Sequence, residues 1–292
     1  MIDRLLLLYP PGYRAAYGEE IADTYREMTA GLARGTRLRE GADLAGHALR
    51  VRLGLGSADP LGRLVASAAP FALAAAAVNE GVRLTHWSTS LVVSPSPAWI
   101  SMRALDGPDV LGLLFSLLVC AGAIVALTGR WAAGAAGAVC GIAGTGVLAL
   151  SSESLFGDRL AVPVAALLTV AVILACPPDL RPGAGASAVA GAMAGAAWLP
   201  AIAVDAGVVG GVSTHYGAWP LLVLALTGVF LALRARSWGL RELGVMAVAS
   251  PPFIAHAYAL AWHDPRPVAA LVLMLPAAAA ITAAARAVRR SR

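Results

Sequence analysis

The sequence contains no lysine, so all 22 of its basic residues are arginines. Alanine, glycine and valine are abundant, and we interpret the arginine-only pattern as codon bias of a GC-rich genome. Charged residues make up only 13% of the 292 positions and hydrophobic residues 59%. This composition is far from that of soluble domains and predicts an integral membrane protein. The net charge of +5 does not indicate nucleic-acid binding, because the arginines are dispersed beside apolar runs.

Cysteine is scarce, and motifs that carry chemistry are missing. The three cysteines, Cys120, Cys140 and Cys176, lie in apolar runs without CxxC or Cys/His spacing, which is typical of buried small residues. HExxH, GxSxG and Walker-type glycine loops are absent, as are paired aspartates within apolar runs. We therefore expect a protein that is not an enzyme and uses no cofactor.

Three histidines are candidates for metal ligands. They fall near the ends of apolar runs that we place on one side of the membrane, but their spacing has no ligand signature. These histidines are His86, His215 and His263. We predict no metal site.

Long apolar runs dominate the rest of the chain. A helix that crosses a bilayer needs about 20 mostly apolar residues. Eight runs fit this length, at about 64–82, 110–128, 131–150, 160–177, 185–206, 218–234, 241–262 and 267–286. The predicted fold class is all-α, a polytopic α-helical membrane protein with a small N-terminal cytoplasmic helical domain. The expected domains are 1–60 and 61–292, with an outer loop at 83–109, in which PAWISMRAL is suited to a short helix on the membrane surface.

The arginines orient these spans. With a cytoplasmic N-terminus, 18 of the 22 arginines fall in inside segments. The four outside are Arg83, Arg103, Arg159 and Arg266. Because positive flanks resist translocation, this asymmetry predicts both termini in the cytoplasm. The expected location is the cytoplasmic (inner) membrane of a cell, with membrane lipid as a constant partner.

Small residues recur at helical spacing in two of the spans. They include Gly137 and Gly141 in the third span, and Gly191 and Gly195 in the fifth. Since lipid offers no hydrophobic force between helices, close backbone approach must supply the packing. These glycines therefore predict helix contacts, either within one chain or between the copies of a homo-oligomer.

Ionisable residues are few inside the spans. Glu80 and Arg83 are spaced to pair near the outer end of the first span, and His256 lies well inside the seventh. Such residues are costly in a membrane and mark proton or ion pathways in transporters. We interpret His256 instead as bonded to a carbonyl that Pro252 releases, because a proline cannot donate to the preceding turn.

The stretch from position 9, YPPGYRAAYGEEIADTYREM, interrupts the apolar composition. After Pro11 an apolar stripe recurs with helical period, in a helix expected to end at Gly35, after which Thr36 caps the next. The expected core of this domain is Tyr9, Tyr17, Ile21, Tyr25 and Met28. About 60 residues is near the lower size limit for an independent domain, which favours docking onto the membrane or a partner.

The opposite face of the same helix is acidic. Its carboxylates have little to do inside so small a domain, and we predict that they form a partner-binding surface. The residues are Glu19, Glu20, Asp23 and Glu27.

The leucine-rich start, Tyr-Pro, an arginine and Tyr-Gly-Glu-Glu resemble the N-terminal signature of a group of bacterial membrane proteins. Similar segments form the permease-prefix domain of some orphan permeases and the cytoplasmic HAAS-type domains of membrane proteins associated with PadR-family regulators. The likeness covers residues 1 to about 55 and rests on Tyr9, Pro10, Arg14, Tyr17, Gly18, Glu19 and Glu20. It implies a cytoplasmic regulator or an ATPase as partner.

Together these patterns predict a non-enzymatic signalling or regulatory membrane protein whose N-terminal helices bind a cytoplasmic partner. The alternative is a transporter or export-permease subunit for a hydrophobic or lipid-like substrate. In that case the prolines at 70, 200 and 252 would kink their helices around a cavity.

Overall fold

The computed structural model describes residues 2–151, 158–177, 179–206, 218–234 and 240–261. All regular secondary structure in these ranges is helical, which confirms the all-α class there. The twelve helices of the described ranges are α1 (Ile2–Leu6), α2 (Pro11–Thr29), α3 (Arg34–Arg52), α4 (Pro60–Val93), α5 (Ala98–Arg103), α6 (Gly107–Leu127), α7 (Trp131–Ser151), α8 (Asp158–Ala175), α9 (Ala184–Asp205), α10 (Ala218–Arg234), α11 (Leu240–Ala249) and α12 (Pro251–Ala261).

The chain forms two compact units. The N-terminal unit comprises residues 1–63 together with 175–180, and the second unit comprises 64–174 and 181–292. Helices α1 to α3 therefore belong to the first unit, whereas nearly all apolar helices belong to the second.

Four helices in the described ranges are long and apolar enough to cross a membrane, namely α4, α6, α7 and α9. Helices α8 and α10 are apolar but shorter, with apolar stretches at Leu160–Ala175 and Trp219–Arg234. The eighth expected span, 267–286, lies outside the described residues.

Two expected spans have different limits in the structure. Helix α4 continues to Val93, so the first part of the expected outer loop is helical; α5 lies within PAWISMRAL. The continuous helix expected at 241–262 is divided at Ser250 into α11 and α12. Pro251 and Pro252 explain the division, because a proline has no backbone N–H and is tolerated mainly in the first turn of a helix.

The N-terminal unit turns earlier than the sequence suggested. Helix α2 ends at Thr29, and Gly31 adopts a φ of 75°. A left-handed conformation is strained for residues with a Cβ atom, so the turn forms at this glycine. The predicted helix end at Gly35 and cap at Thr36 are therefore wrong, since both residues lie in the first turn of α3.

Helix α4 is the centre of the second unit. Four consecutive residues, from Ala72 to Ala75, are fully buried. Successive residues of a helix point about 100° apart, so this burial means that α4 is surrounded by neighbours over that turn. Alanine makes the arrangement possible because its side chain keeps the helix thin.

Helices α6 and α7 approach each other through glycines. A Cβ atom on Gly122 would lie 2.5 Å from the backbone nitrogen of Ala138, and one on Gly134 would overlap the backbone of Ala126. A Cβ atom on Gly141 would lie 2.7 Å from the carbonyl oxygen of Phe115. Gly137 has more room, because a Cβ atom there would lie 3.7 Å from Leu118 Cδ1. The close approach is thus carried by Gly122, Gly134 and Gly141.

The predicted packing glycines of α9 do not lie on its buried face. Gly191 and Gly195 are exposed, and a Cβ atom on either would meet nothing within 4 Å among the described residues. The buried face of α9 is formed instead by Ala190, Met193 and Ala197. Because α9 is rich in small residues all round, glycine alone does not mark the side that packs within the chain. A contact of Gly191 and Gly195 between the copies of a homo-oligomer stays a prediction.

Alanine substitutions on α7 should separate close approach from simple composition. Gly134→Ala should destabilise the protein by about 1–3 kcal/mol, since the added methyl group meets backbone that cannot yield. Gly137→Ala adds the same atom three residues away and should be neutral or stabilising, because alanine favours a helix by about 1 kcal/mol over glycine. Thermal unfolding of both variants in detergent measures the difference, and equal unfolding temperatures would contradict the packing described here.

Candidate functional site

The apolar stripe of α2 is only partly buried. Tyr9 and Tyr25 are 2% and 7% exposed, and Ile21 is half-buried. Tyr17 and Met28, expected in the core, are 50% and 54% exposed. The two positions were misassigned because the stripe does not close against α3 along its whole length.

The incompletely covered stripe forms one wall of a groove of about 490 Å³ between α2 and α3. We call it the tyrosine groove. Its lining residues are Tyr9, Tyr13, Tyr17, Glu20, Ile21, Thr24, Tyr25, Met28, Glu40, Asp43, Leu44 and His47. Small residues make the buried contacts of α3, where Gly41 and Ala48 are buried. The larger side chains are left to line the groove.

A row of aromatic rings fixes one end of the tyrosine groove. The rings of Tyr9 and Tyr13 are stacked with centroids 5.4 Å apart, and Tyr13 and Tyr17 follow at 4.9 Å. The Tyr9 hydroxyl is 2.8 Å from His47 Nδ1, which ties the row to α3. Rings held in this way present a large surface at little cost in conformational entropy.

The acidic residues of the groove only partly match the predicted partner-binding surface. Glu20 lines the groove, whereas Glu19, Asp23 and Glu27 are exposed outside it. Asp23 forms an exposed ion pair with Arg26, at 2.5 Å.

Two acidic groove residues on α3 were missed in the sequence. Glu40, Asp43 and His47 follow one another at spacings of three and four, the spacing of a single helix face. A search for apolar periodicity passes over such a polar stripe. The groove therefore brings together carboxylates from two helices, a combination that the helix-by-helix pattern does not show.

The Tyr9–His47 pair has a defined protonation at neutral pH. Burial and the neighbouring Tyr13 raise the pKa of Tyr9, so its hydroxyl stays protonated and can donate. Burial, followed by the positive charge of Arg50, lowers the pKa of His47 from 6.5. A neutral His47 can accept the hydrogen bond at Nδ1 when the ring proton is on Nε2.

One carboxylate from the second stretch of the N-terminal unit is also held in its charged form. A hydrogen bond from the Ser57 side chain lowers the pKa of Asp179, with a smaller contribution from Arg50. Residues 175–180 are thus tied to the segment before α4 by charge-assisted contacts within this unit.

The second unit contains a polar group on its central helix. Glu80 of α4 is 8% exposed, and Ser116 Oγ donates a 2.6 Å hydrogen bond to its Oε2 atom. Arg83, one turn further along α4, lies 3.6 Å from the same oxygen. The predicted neighbourhood of Glu80 and Arg83 is present, and Ser116 of α6 is a partner that the sequence did not indicate.

Glu80 and His256 border one cavity of about 110 Å³, which we call the Glu80 cavity. Polar residues from three further positions also line it, namely Asn79, Thr145 and Thr169. Pro252 is among the lining residues as well. The predicted hydrogen bond from His256 to a carbonyl that Pro252 releases stays a prediction.

Within the described ranges, no group of three or more His, Cys, Asp or Glu residues is placed to hold a metal ion. His215 and His263 lie outside those ranges. No protein-family model matches the chain, and neither a curated protein nor a solved structure matches it. The resemblance of residues 1 to about 55 to permease-prefix and HAAS-type domains stays a prediction.

Acidification should loosen the N-terminal unit through His47. The pKa of His47 is lower in the folded protein than its ordinary value of 6.5, so the unfolded state binds the proton more readily. Its contribution to stability is complete above about pH 6.5 and is lost as the pH falls through the lower, folded value. His47 is the only histidine among residues 1–63, which isolates the effect.

The measurement is limited proteolysis of residues 1–63 in the full chain at about pH 7.5 and about pH 5.5. We expect faster cleavage at the lower pH. His47→Gln should remove this difference, since its amide oxygen still accepts from Tyr9 but does not titrate. An undiminished difference in His47→Gln would assign the pH dependence to another group.

Proposed function

We propose that this chain is a non-enzymatic regulatory membrane protein whose N-terminal unit binds a cytoplasmic protein in the tyrosine groove. The segment bound is an arginine-bearing amphipathic helix of that partner. A cytoplasmic regulator is the proposed partner; an ATPase subunit or a second copy of the chain are the other occupants that the experiment below separates. The open groove is the observation that carries the proposal.

The groove leaves apolar and aromatic surface in contact with water. Tyr17 and Met28 are each at least half exposed, although they lie on the same helix stripe as the buried Tyr25. Covering them with a partner would remove this surface from water, at about 25 cal/mol per Å² of apolar area. The volume of about 490 Å³ is within the range of pockets that enclose a compact ligand group, so side chains of one helix can fill it.

The charge of the groove selects the partner. Its lining includes the carboxylates of Glu20, Glu40 and Asp43, and among the described lining residues there is no arginine. Guanidinium groups form paired hydrogen bonds with carboxylates and stack on aromatic rings. An arginine beside apolar residues on one helix face therefore fits this lining better than an acidic or a purely apolar helix does.

The membrane part of the proposal comprises eight spans with both termini in the cytoplasm. It is supported by the four long apolar helices and by the distribution of the arginines, 18 of which fall in one of the two alternating sets of segments between the expected spans. Many leucines and valines of α6 and α8 are exposed in the second unit, which suits contact with lipid. The cytoplasmic membrane would then hold the N-terminal unit on the side where regulators are found.

The Glu80 cavity does not suit a lipid-like molecule as cargo. The Glu80 cavity, at about 110 Å³, is smaller than the roughly 300–1,000 Å³ of most sites for drug-sized ligands. Its lining is also polar at five positions. A lipid chain would meet an environment that does not match its chemistry.

Reporter fusions test the topology. Fusions after Arg130 and Arg181 should report a cytoplasmic location, because these arginines flank spans on the inside. Fusions at Pro95 and Ser152 should report an external one. A single fusion that reports the opposite location would contradict the eight-span arrangement.

Site-specific photocrosslinking in the native host tests the groove. A photoreactive phenylalanine analogue at position 17 should capture a cytoplasmic protein, and mass spectrometry should place the crosslink in a segment that contains arginine. The same analogue at position 19, on the outer acidic face, should capture little. A capture that is equal at both positions, or a crosslink to an acidic segment, would contradict docking in the groove.

A matched pair of charge reversals provides the control. Glu20→Arg places a positive charge in the groove and should weaken the crosslink at position 17 by at least about tenfold, as loss of a charge-assisted contact does. Glu27→Arg makes the same change on α2 outside the groove and should leave the crosslink unchanged. Equal effects of the two reversals would indicate general electrostatic attraction rather than docking.

A further inference from the structure

The Glu80 cavity is rich in hydrogen-bond acceptors. The Thr145 hydroxyl donates to the carbonyl of Ile142 at 3.0 Å, and the Thr169 hydroxyl donates to that of Ala165 at 2.6 Å. A hydroxyl has one proton and two lone pairs, so both threonines have used their donor and keep acceptor capacity. The neighbouring Asn79 can add an amide oxygen, and Glu80 adds a carboxylate.

The carboxylate has polar contacts on one of its oxygens. Both the hydrogen bond from Ser116 and the contact with Arg83 go to Oε2. The Arg83 side chain is 51% exposed and its 3.6 Å contact is longer than a hydrogen bond, so solvent screens this ion pair. Neither of these contacts involves the other carboxylate oxygen, Oε1. Arg83 is not among the described residues that line the cavity.

We propose that the Glu80 cavity is a binding site for a monovalent alkali cation. The ligands are the Glu80 carboxylate and the oxygens of Asn79, Thr145 and Thr169. Hard cations prefer oxygen ligands, and a divalent ion such as Ca²⁺ is usually held by several carboxylates. One carboxylate among neutral oxygens fits a single charge instead.

The size and position of the cavity agree with this ligand. A volume of about 110 Å³ has room for one small cation and a few of its water molecules. Helices α4, α7 and α8 each contribute oxygen ligands, so a bound ion would join three helices of the second unit. His256 of α12 borders the same space and, as a neutral imidazole, can accept a hydrogen bond from a water of the ion.

Unfolding of the purified full chain in nanodiscs tests the proposal. The chloride salts of sodium, potassium and N-methyl-D-glucamine are compared at one pH and one ionic strength. Sodium or potassium should raise the unfolding temperature in a saturable manner, by about 2–4 °C at about ten times the dissociation constant. N-methyl-D-glucamine is too large for the cavity and should have no such effect.

Tryptophan fluorescence gives a second readout. Trp198 of α9 packs on the helix turn that carries Glu80, because a Cβ atom added to Gly81 would lie only 2.8 Å from its ring. Its Nε1 also donates a hydrogen bond to the Thr85 hydroxyl. Titration with the effective cation should change the emission with the same midpoint as the unfolding temperature. Trp198→Phe should remove most of this change and keep the thermal shift.

Glu80→Gln should abolish the thermal shift, whereas Glu27→Gln, which neutralises an exposed carboxylate of the N-terminal unit, should keep it. Thr169→Val has nearly the same shape as wild type, keeps Glu80, and should weaken the affinity by about tenfold or more. It decides the matter if Glu80→Gln does not fold. Identical unfolding temperatures in the three salts, a full shift in Glu80→Gln, or an unchanged affinity in Thr169→Val would each overturn the proposal.

Discussion

The second unit depends on the alanine surface of α4. Helices in lipid gain no hydrophobic free energy from contact with one another, so they associate through close packing and interhelical hydrogen bonds. Ala72, Ala74 and Ala75 are fully buried, and so is the intervening Leu73. Larger side chains at the three alanine positions would hold the neighbouring helices apart. The narrow cross-section of α4 is therefore the condition for a helix enclosed on all sides.

This packing also places the polar residues. A carboxylate on a peripheral helix would face lipid or solvent, but Glu80 lies about one and a half turns beyond the alanine segment, where α6 supplies Ser116. Cys120, one turn along α6, contacts the carbonyl of Ala77 at 3.6 Å. The pair of contacts fixes the register of α6 along α4. A buried carboxyl group is thereby held in a defined position, which a binding site requires.

The sequence predicted the helical class well and the packing unevenly. Long apolar runs and arginine flanks identify helices because the cost of exposing a backbone to lipid is large and depends on local composition. The packed face of α9 was not predictable in the same way, since Gly191 and Ala190 are neighbours of similar size that point in different directions. Pro251 and Pro252 indicated an interruption near Ser250. The sequence does not distinguish a kinked helix from two separate helices, because proline produces both. Ser116 was missed because nothing local distinguishes a serine that contacts Glu80 from one that bonds only its own helix.

The tyrosine groove shows why periodicity alone does not identify a core. A stripe such as Tyr17, Ile21, Tyr25 and Met28 records which residues share a helix face, but the element that covers the face can belong to the same chain or to another. In the N-terminal unit α3 covers Tyr25 and leaves Tyr17 and Met28 exposed. Glu40 and Asp43 line the groove together with the tyrosines, at positions where leucines would complete an apolar core. Acidic residues at these positions oppose closure of the groove onto itself, because burying their carboxylates without a partner of opposite charge would be costly.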